Sequence, residues 1–161
     1  MGLEKETFVT AQSFSIEDPF DPTEENVISI PTPGSSEEVL TVDVCVKQPH
    51  KTHVLLDSMA QVAVRATLSP FPVNVTFVVE YELERNGTRI ASITDEMDYL
   101  AVGSTPGVNG RHNNFPNFPL VDENPDPGNN TYVLRCTNSS PNPSPFITIG
   151  SRSLKAAVIT L

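Results

Sequence analysis

The stretch from Val73 to Ile93, VNVTFVVEYELERNGTRIASI, admits few backbones. Its apolar residues Val75, Phe77, Val79, Tyr81 and Leu83 fall at every second position, with Thr76, Glu80, Glu82 and Glu84 between them and only Val78 out of pattern. Successive side chains of a strand point to opposite faces, so a period of two predicts a β-strand with one face in a core and one in water. Asn86-Gly87 follows, the pair best able to hold φ > 0 at both central positions of a type I′ turn, and Arg89–Ile93 then returns as the antiparallel partner. A strand of about nine residues spans roughly 30 Å, which suits a tall sandwich better than a small barrel.

Further strands follow the same logic. Val39–Val46, VLTVDVCV, alternates Leu40, Val42, Val44 and Val46 against Thr41, Asp43 and Cys45, which places the Cys45 thiol on the polar side. His53–Thr67 reads as one or two strands with a break near Asp57-Ser58. A helix over Leu55–Ala66 is the competing reading, and the β-branched content favours strand. Thr94–Pro127, rich in Gly, Asn and Pro, reads as surface loop of the recognising kind, with Phe118–Val121 as a short strand inside it. Thr131–Cys136, Phe146–Gly150 and Leu154–Leu161 complete the strands, and Asn124–Gly128 is dense in turn residues.

Composition separates the first 38 residues from the rest. The formal net charge is −10. Residues 1–38 hold nine acids against Lys5, a balance of −8, which leaves −2 for residues 39–161. A nearly neutral body with an acidic leader argues against nucleic acid as a partner, because phosphate binding needs a basic face. No apolar run approaches a membrane span and the first residues lack the basic and apolar blocks of a secretory signal, so release without the general export route is expected. The leader carries spaced apolar residues, Phe8, Phe14, Ile16, Phe20, Val27, Ile28 and Ile30, with Val9 beside them, and Phe14–Ile16 and Ile28–Ile30 alternate like strands without a nearby hairpin partner. One reading is a disordered acidic tail. The sharper reading is an arm, residues 1–38, that docks these residues on a neighbouring copy of a domain formed by 39–161.

The order of the later segments resembles a known family. VDENPDPGNNTYVLRC, a Pro/Ser loop and FITIGSRSLKAAVITL supply Val121, Asp122, Gly128, Thr131, Tyr132 and Leu134, then Arg152, Leu154 and Ala156. This resembles the tumour-necrosis-factor-like and complement-head jelly rolls of bacterial and phage surface proteins, with Asn124 inserted before Pro125 and a lengthened segment at 99–120. The resemblance implies an all-β, antiparallel two-sheet jelly-roll sandwich that trimerises about a threefold axis. It implies a structural, self-assembling subunit of a surface fibre or spore appendage of the exosporium type, with itself as partner and a surface anchor protein or glycan receptor beyond that. The alternative is the receptor- or glycan-binding head of a phage tail fibre or cell-surface fibre.

Chemistry-bearing residues are sparse, and an enzyme is not the expected function. His53, Asp57 and Ser58 have the residue types of a hydrolytic triad, but on an alternating strand Ser58 points away from the other two, and no Gly-x-Ser-x-Gly elbow is present. His50 and His53 are half of a metal set at most, and Asp122–Asp126 lacks the ligand order of a calcium loop, so neither metal nor cofactor is called for. Asn74, Asn86, Asn129 and Asn138 match the acceptor pattern for N-linked sugar and read as strand and turn residues. Cys45 and Cys136 are too few for a disulfide framework and are candidates for a single cross-link.

Overall fold

Strands pair so that each alternating apolar row faces the same interior, and two antiparallel sheets result. The computed structural model describes residues 8–68, 73–101, 108–141 and 146–160. One sheet runs β1 (Phe8–Phe14), β10 (Phe146–Thr160), β4 (Thr52–Leu68), β7 (Val108–Asn114), with β2 (Ile28–Ser29) also on β10 and β8 (Asn117–Asp122) also on β4. The other runs β3 (Ser36–Val46), β9 (Gly128–Asn138), β5 (Val73–Arg85), β6 (Thr88–Ala101). Strands β7 and β8 lie end to end along β4, as halves of one strand interrupted around Pro116. Counting those halves as one and setting aside the two-residue β2, each strand is followed by one in the opposite sheet, the β5–β6 hairpin excepted, which is the jelly-roll order.

The chain is thus an all-β, antiparallel two-sheet sandwich. Its core forms from the residues that the alternation selects: Phe77, Val79, Tyr81 and Leu83 of β5 and Tyr132 and Leu134 of β9 on one side, Val54, Leu56 and Val62 of β4 and Ile147, Ile149 and Leu154 of β10 on the other. The hairpin turn has φ of 51° at Asn86 and 77° at Gly87, as a type I′ turn requires.

Three local expectations are corrected. The segment after His53 is one unbroken strand paired with β10, neither interrupted at Asp57-Ser58 nor helical, because Asp57 and Ser58 keep the alternation, one out and one in. The last two strands are one, with a register shift between Ile149 and Arg152. Thr94–Pro127 is mostly sheet, as the end of β6, then β7 and β8; residues 102–107 lie outside the described set.

The larger correction concerns the leader. Residues 8–36 fold onto their own chain, and a boundary at residue 38 divides nothing. Strand β1 pairs with β10 from Phe8 opposite Val158 to Phe14 opposite Arg152, and β2 pairs with β10 at Ile28 opposite Ile149. Ile30 is fully buried, its N–H donates to Ile147 O at 3.0 Å and its carbonyl accepts from Asn138 Nδ2 at 2.9 Å. Ile16 is buried, and Phe14, Phe20, Val27 and Ile28 are partly so. Of the expected docking residues only Phe8, 60% exposed, stays open. The acids that made this segment look like a solvated tail serve its own backbone: Glu24 accepts from the N–H of Glu17 at 2.9 Å and of Asp18 at 2.7 Å, and Asp18 accepts from that of Phe20 at 3.0 Å.

The Arg152 side chain fastens this segment. It projects from β10 into the interior, 4% exposed as a residue, and donates to Val39 O at 2.9 Å, Asn26 O at 2.8 Å and Gly150 O at 2.9 Å, with the Phe14 ring 4.4 Å away. Burial pulls its pKa below that of a free guanidinium, and three carbonyls with an aromatic face supply the compensation a buried cation needs. Gly150 keeps room for the crossing loop, since a Cβ there would lie 2.7 Å from both Pro19 Cβ and Gln61 Oε1.

One interior group works against folding. Asp95 points inward from β6, at the end of the four-stranded sheet, a device that discourages further strands from adding. Its Oδ1 accepts from Asn114 Nδ2 while Oδ2 has no partner. Desolvation raises its pKa above the ordinary carboxylate range, against smaller lowering effects of Asn114 and His112. A raised folded-state pKa penalises the native state once the group ionises. Asp95→Asn is therefore expected to raise the urea midpoint at neutral pH, and the gap from the parent should close as pH falls through the raised pKa toward the unfolded value. A gap that widened on acidification would contradict this.

Candidate assembly surface

The two outer faces differ. On the four-stranded sheet, Glu80, Glu82 and Glu84 of β5 stand beside Arg89 of β6 and Arg135 of β9 in an ionic lattice, with Arg135 Nε 2.8 Å from Glu84 and Arg89 Nη1 2.9 Å from Glu82. Such exposed pairs contribute little each, but they keep that face wet.

The six-stranded sheet presents an apolar row instead. Val9 of β1 is opposite Ala157 of β10, Ala157 is opposite Leu55 of β4, and Leu55 is opposite Val121 of β8. Directly opposed residues share a face, so the four form one band across four strands, about 14 Å wide at roughly 4.8 Å per strand. Val9 is 49%, Leu55 37% and Val121 47% exposed. The next row is Ala11, Lys155, Asp57 and Pro119, in which Lys155 and Asp57 are opposed and both exposed, yet neither appears among the ion pairs of the described residues.

His53 and Asp57 share the outer face of β4, while Ser58 turns into the core and its hydroxyl donates to Phe118 O at 3.3 Å, so the three do not meet. His50 sits on the turn Pro49–Lys51, before β4. Asp122 accepts two bonds from Arg85 Nη1, at 3.0 and 2.8 Å, and one from Tyr132 Oη at 2.7 Å; Asn130 Nδ2 donates to Asp126 O at 2.8 Å. The segment Asp122–Asp126 is thus a turn stitched to the hairpin. Asn138 is fully buried, Asn86 is occupied by Asp126 and the Thr131 N–H, Asn129 is exposed, and the Asn74 side chain lies outside the described set.

Cys45 and Cys136, the candidates for a cross-link, are both free thiols and are not joined within the chain. Cys45 is exposed on the outer side of its sheet and Cys136 is buried on the inner side, where desolvation drives its thiol pKa upward. Thiols on opposite faces cannot meet disulfide geometry.

Residues of the apolar band come from four separate segments, and only the register joins them. The Leu55-Leu56 doublet, an apolar residue on each face of one strand, was the available sequence signal.

No protein-family model matches this chain, and no curated protein does. Among solved structures, dimeric latent PorU from Porphyromonas gingivalis overlaps 98% of this chain and 13% of its own, at 12% identity and a TM-score of 0.42. The infectious bursal disease virus Gt strain structure overlaps 98% of this chain and 33% of its own, at 12% identity and 0.38. The Gx strain gives 96%, 32%, 13% and 0.42. The chain spans no more than about a third of any of these three, and overlaps this loose say nothing of function. The jelly-roll assignment stands on the strand order.

Proposed function

We propose that this chain is a structural subunit that associates with copies of itself, and that the outer face of the six-stranded sheet is the contact. The observation that carries this reading is the band Val9–Ala157–Leu55–Val121. The occupant is a second copy because the row beside the band is self-complementary: it offers one uncommitted cation, Lys155, and one uncommitted anion, Asp57, so two copies set against each other can pair both. Val9, Leu55 and Val121 are 49%, 37% and 47% exposed, so covering the remainder would contribute about 0.6 to 1.5 kcal/mol for each. This reading does not use the arm-docking arrangement, since the residues assigned to it, Phe8 excepted, are buried or half-buried against their own chain. The threefold arrangement and the setting in a fibre, appendage or virion surface come from the tumour-necrosis-factor-like resemblance, which rests on sequence motifs alone.

Sedimentation tests the proposal. The parent protein is expected to form a defined oligomer at micromolar concentration, and the Leu55→Glu, Val121→Glu double variant to sediment as a monomer with unchanged circular dichroism. A parent that stays monomeric at several hundred micromolar, or a double variant that still assembles, would overturn it.

A further inference from the structure

On the same outer face, beyond the crossing loop from the apolar band, Phe146 of β10 is opposite Arg65 of β4, and Arg65 is opposite Arg111 of β7. The two arginines thus occupy directly opposed positions in the ladder. Like charges directly opposed across a strand pair are unfavourable unless something neutralises them. Neither arginine forms an ion pair among the described residues, whereas Arg85, Arg89 and Arg135 each do. Arg65 acts electrostatically on Asp21, whose carboxylate is engaged by its own loop through the Thr23 N–H at 2.8 Å and hydroxyl at 2.7 Å.

Both guanidinium groups are held by aromatic rings. Arg65 lies over Phe146 at 4.7 Å and Arg111 over Phe20 at 5.0 Å. A ring on one flat face restrains the plane of the group and leaves the N–H edges free to donate, so less freedom is lost when an anion arrives. Residues opposed across antiparallel strands have Cα atoms about 4.5 to 5.5 Å apart, and although the Arg65 guanidinium leans toward β10, over Phe146, two side chains of this length rooted so close together can converge on one acceptor group.

We infer that Arg65 and Arg111 form a binding site for a single small oxyanion, a carboxylate, sulfate or phosphate group, with Phe146 and Phe20 as its supports. Its chemistry is bidentate donation to paired oxygens. A polyanion is disfavoured against a single small group, because Asp21 lies within electrostatic reach of Arg65 and the chain as a whole carries −10. This site does not depend on the assembly proposal.

Titration of the intact protein with sodium sulfate, and separately with sodium acetate, tests the inference, with sodium chloride at equal ionic strength as reference. The Arg65 and Arg111 Nε–Hε resonances are expected to shift saturably with one of the two anions while those of Arg89 and Arg135 do not. At ten times the dissociation constant that anion should raise Tm by about 3 to 6 °C over chloride. The gain should vanish in the Arg65→Gln, Arg111→Gln double variant and persist in Arg89→Gln, which separates site binding from the general stabilisation by sulfate. An equal gain in parent and double variant, or shifts spread over all arginines, would overturn the site. Shifts that follow protein concentration without added anion would reassign the pair to contact between copies, and would also overturn it.

Discussion

Arg152→Ala is expected to lower the unfolding free energy by about 3 to 4 kcal/mol, a large share of the 5 to 15 kcal/mol typical of a domain. The guanidinium ties three stretches of chain together, and its loss leaves Val39 O, Asn26 O and Gly150 O without that donor beneath a layer of packed side chains. The Phe14 ring loses its cation in the same step. Arg152→Lys keeps the charge but has no planar fork to serve three acceptors, so it should recover less than half of the loss. Urea midpoints read the effect, and they should be accompanied by earlier proteolysis between Ser15 and Pro31. A change under about 1 kcal/mol in Arg152→Ala would show that the fastening is not needed.

Asp122→Ala comes second, at about 2 to 3 kcal/mol. Asp122 on β8 belongs to one sheet and its partners Arg85 and Tyr132 to the other, so the pair closes one end of the sandwich. The cost is below that of a fully buried pair because the Arg85 side chain is 20% exposed and keeps Asn124 O at 2.7 Å and Asp126 at 3.5 Å. Burial and the adjacent carboxylate push the Tyr132 phenol pKa upward, so it stays a donor to Asp122 at any ordinary pH. Asp122→Asn should retain part of that bond. A double-mutant cycle with Arg85→Gln should give a positive coupling of about 1 to 2 kcal/mol, and additivity would remove Arg85 from the account.

How much of this was legible in the sequence depends on the reach of each interaction. The β5–β6 hairpin could be read from its turn as far as Ile93, because its alternation and its Asn86-Gly87 turn act within a few residues. So could the inward rows of β3 and β9. The leader was misread because its partner is remote. Phe14 pairs with Arg152 and Ile28 with Ile149, and nothing local to Phe14–Ile16 points to a strand so far along the chain. Its acids compounded the error, since a carboxylate that caps a backbone N–H looks in sequence like one that is merely solvated.

The same limit applies to both surface assignments. Val9, Leu55, Val121 and Ala157 are ordinary residues one by one, and Arg65 and Arg111 are far apart in the chain; each set exists only once the register is fixed. Arg152 was noticed through the family resemblance, which identified the position but not its hydrogen bonds. The long segment after β6 looked like loop because its Gly, Asn and Pro content outweighed the weak alternation of β8, where Phe118, Leu120 and Asp122 face inward.

Whether β1 belongs to its own sandwich is the point on which fold and assembly both turn, and hydrogen exchange followed over a range of protein concentrations measures it directly. Amides of Phe8–Phe14 bonded to β10 should exchange slowly at every concentration, including those at which the protein is monomeric. Protection of these amides that appears only on concentration would mean that the strand is donated between copies, and would contradict the account.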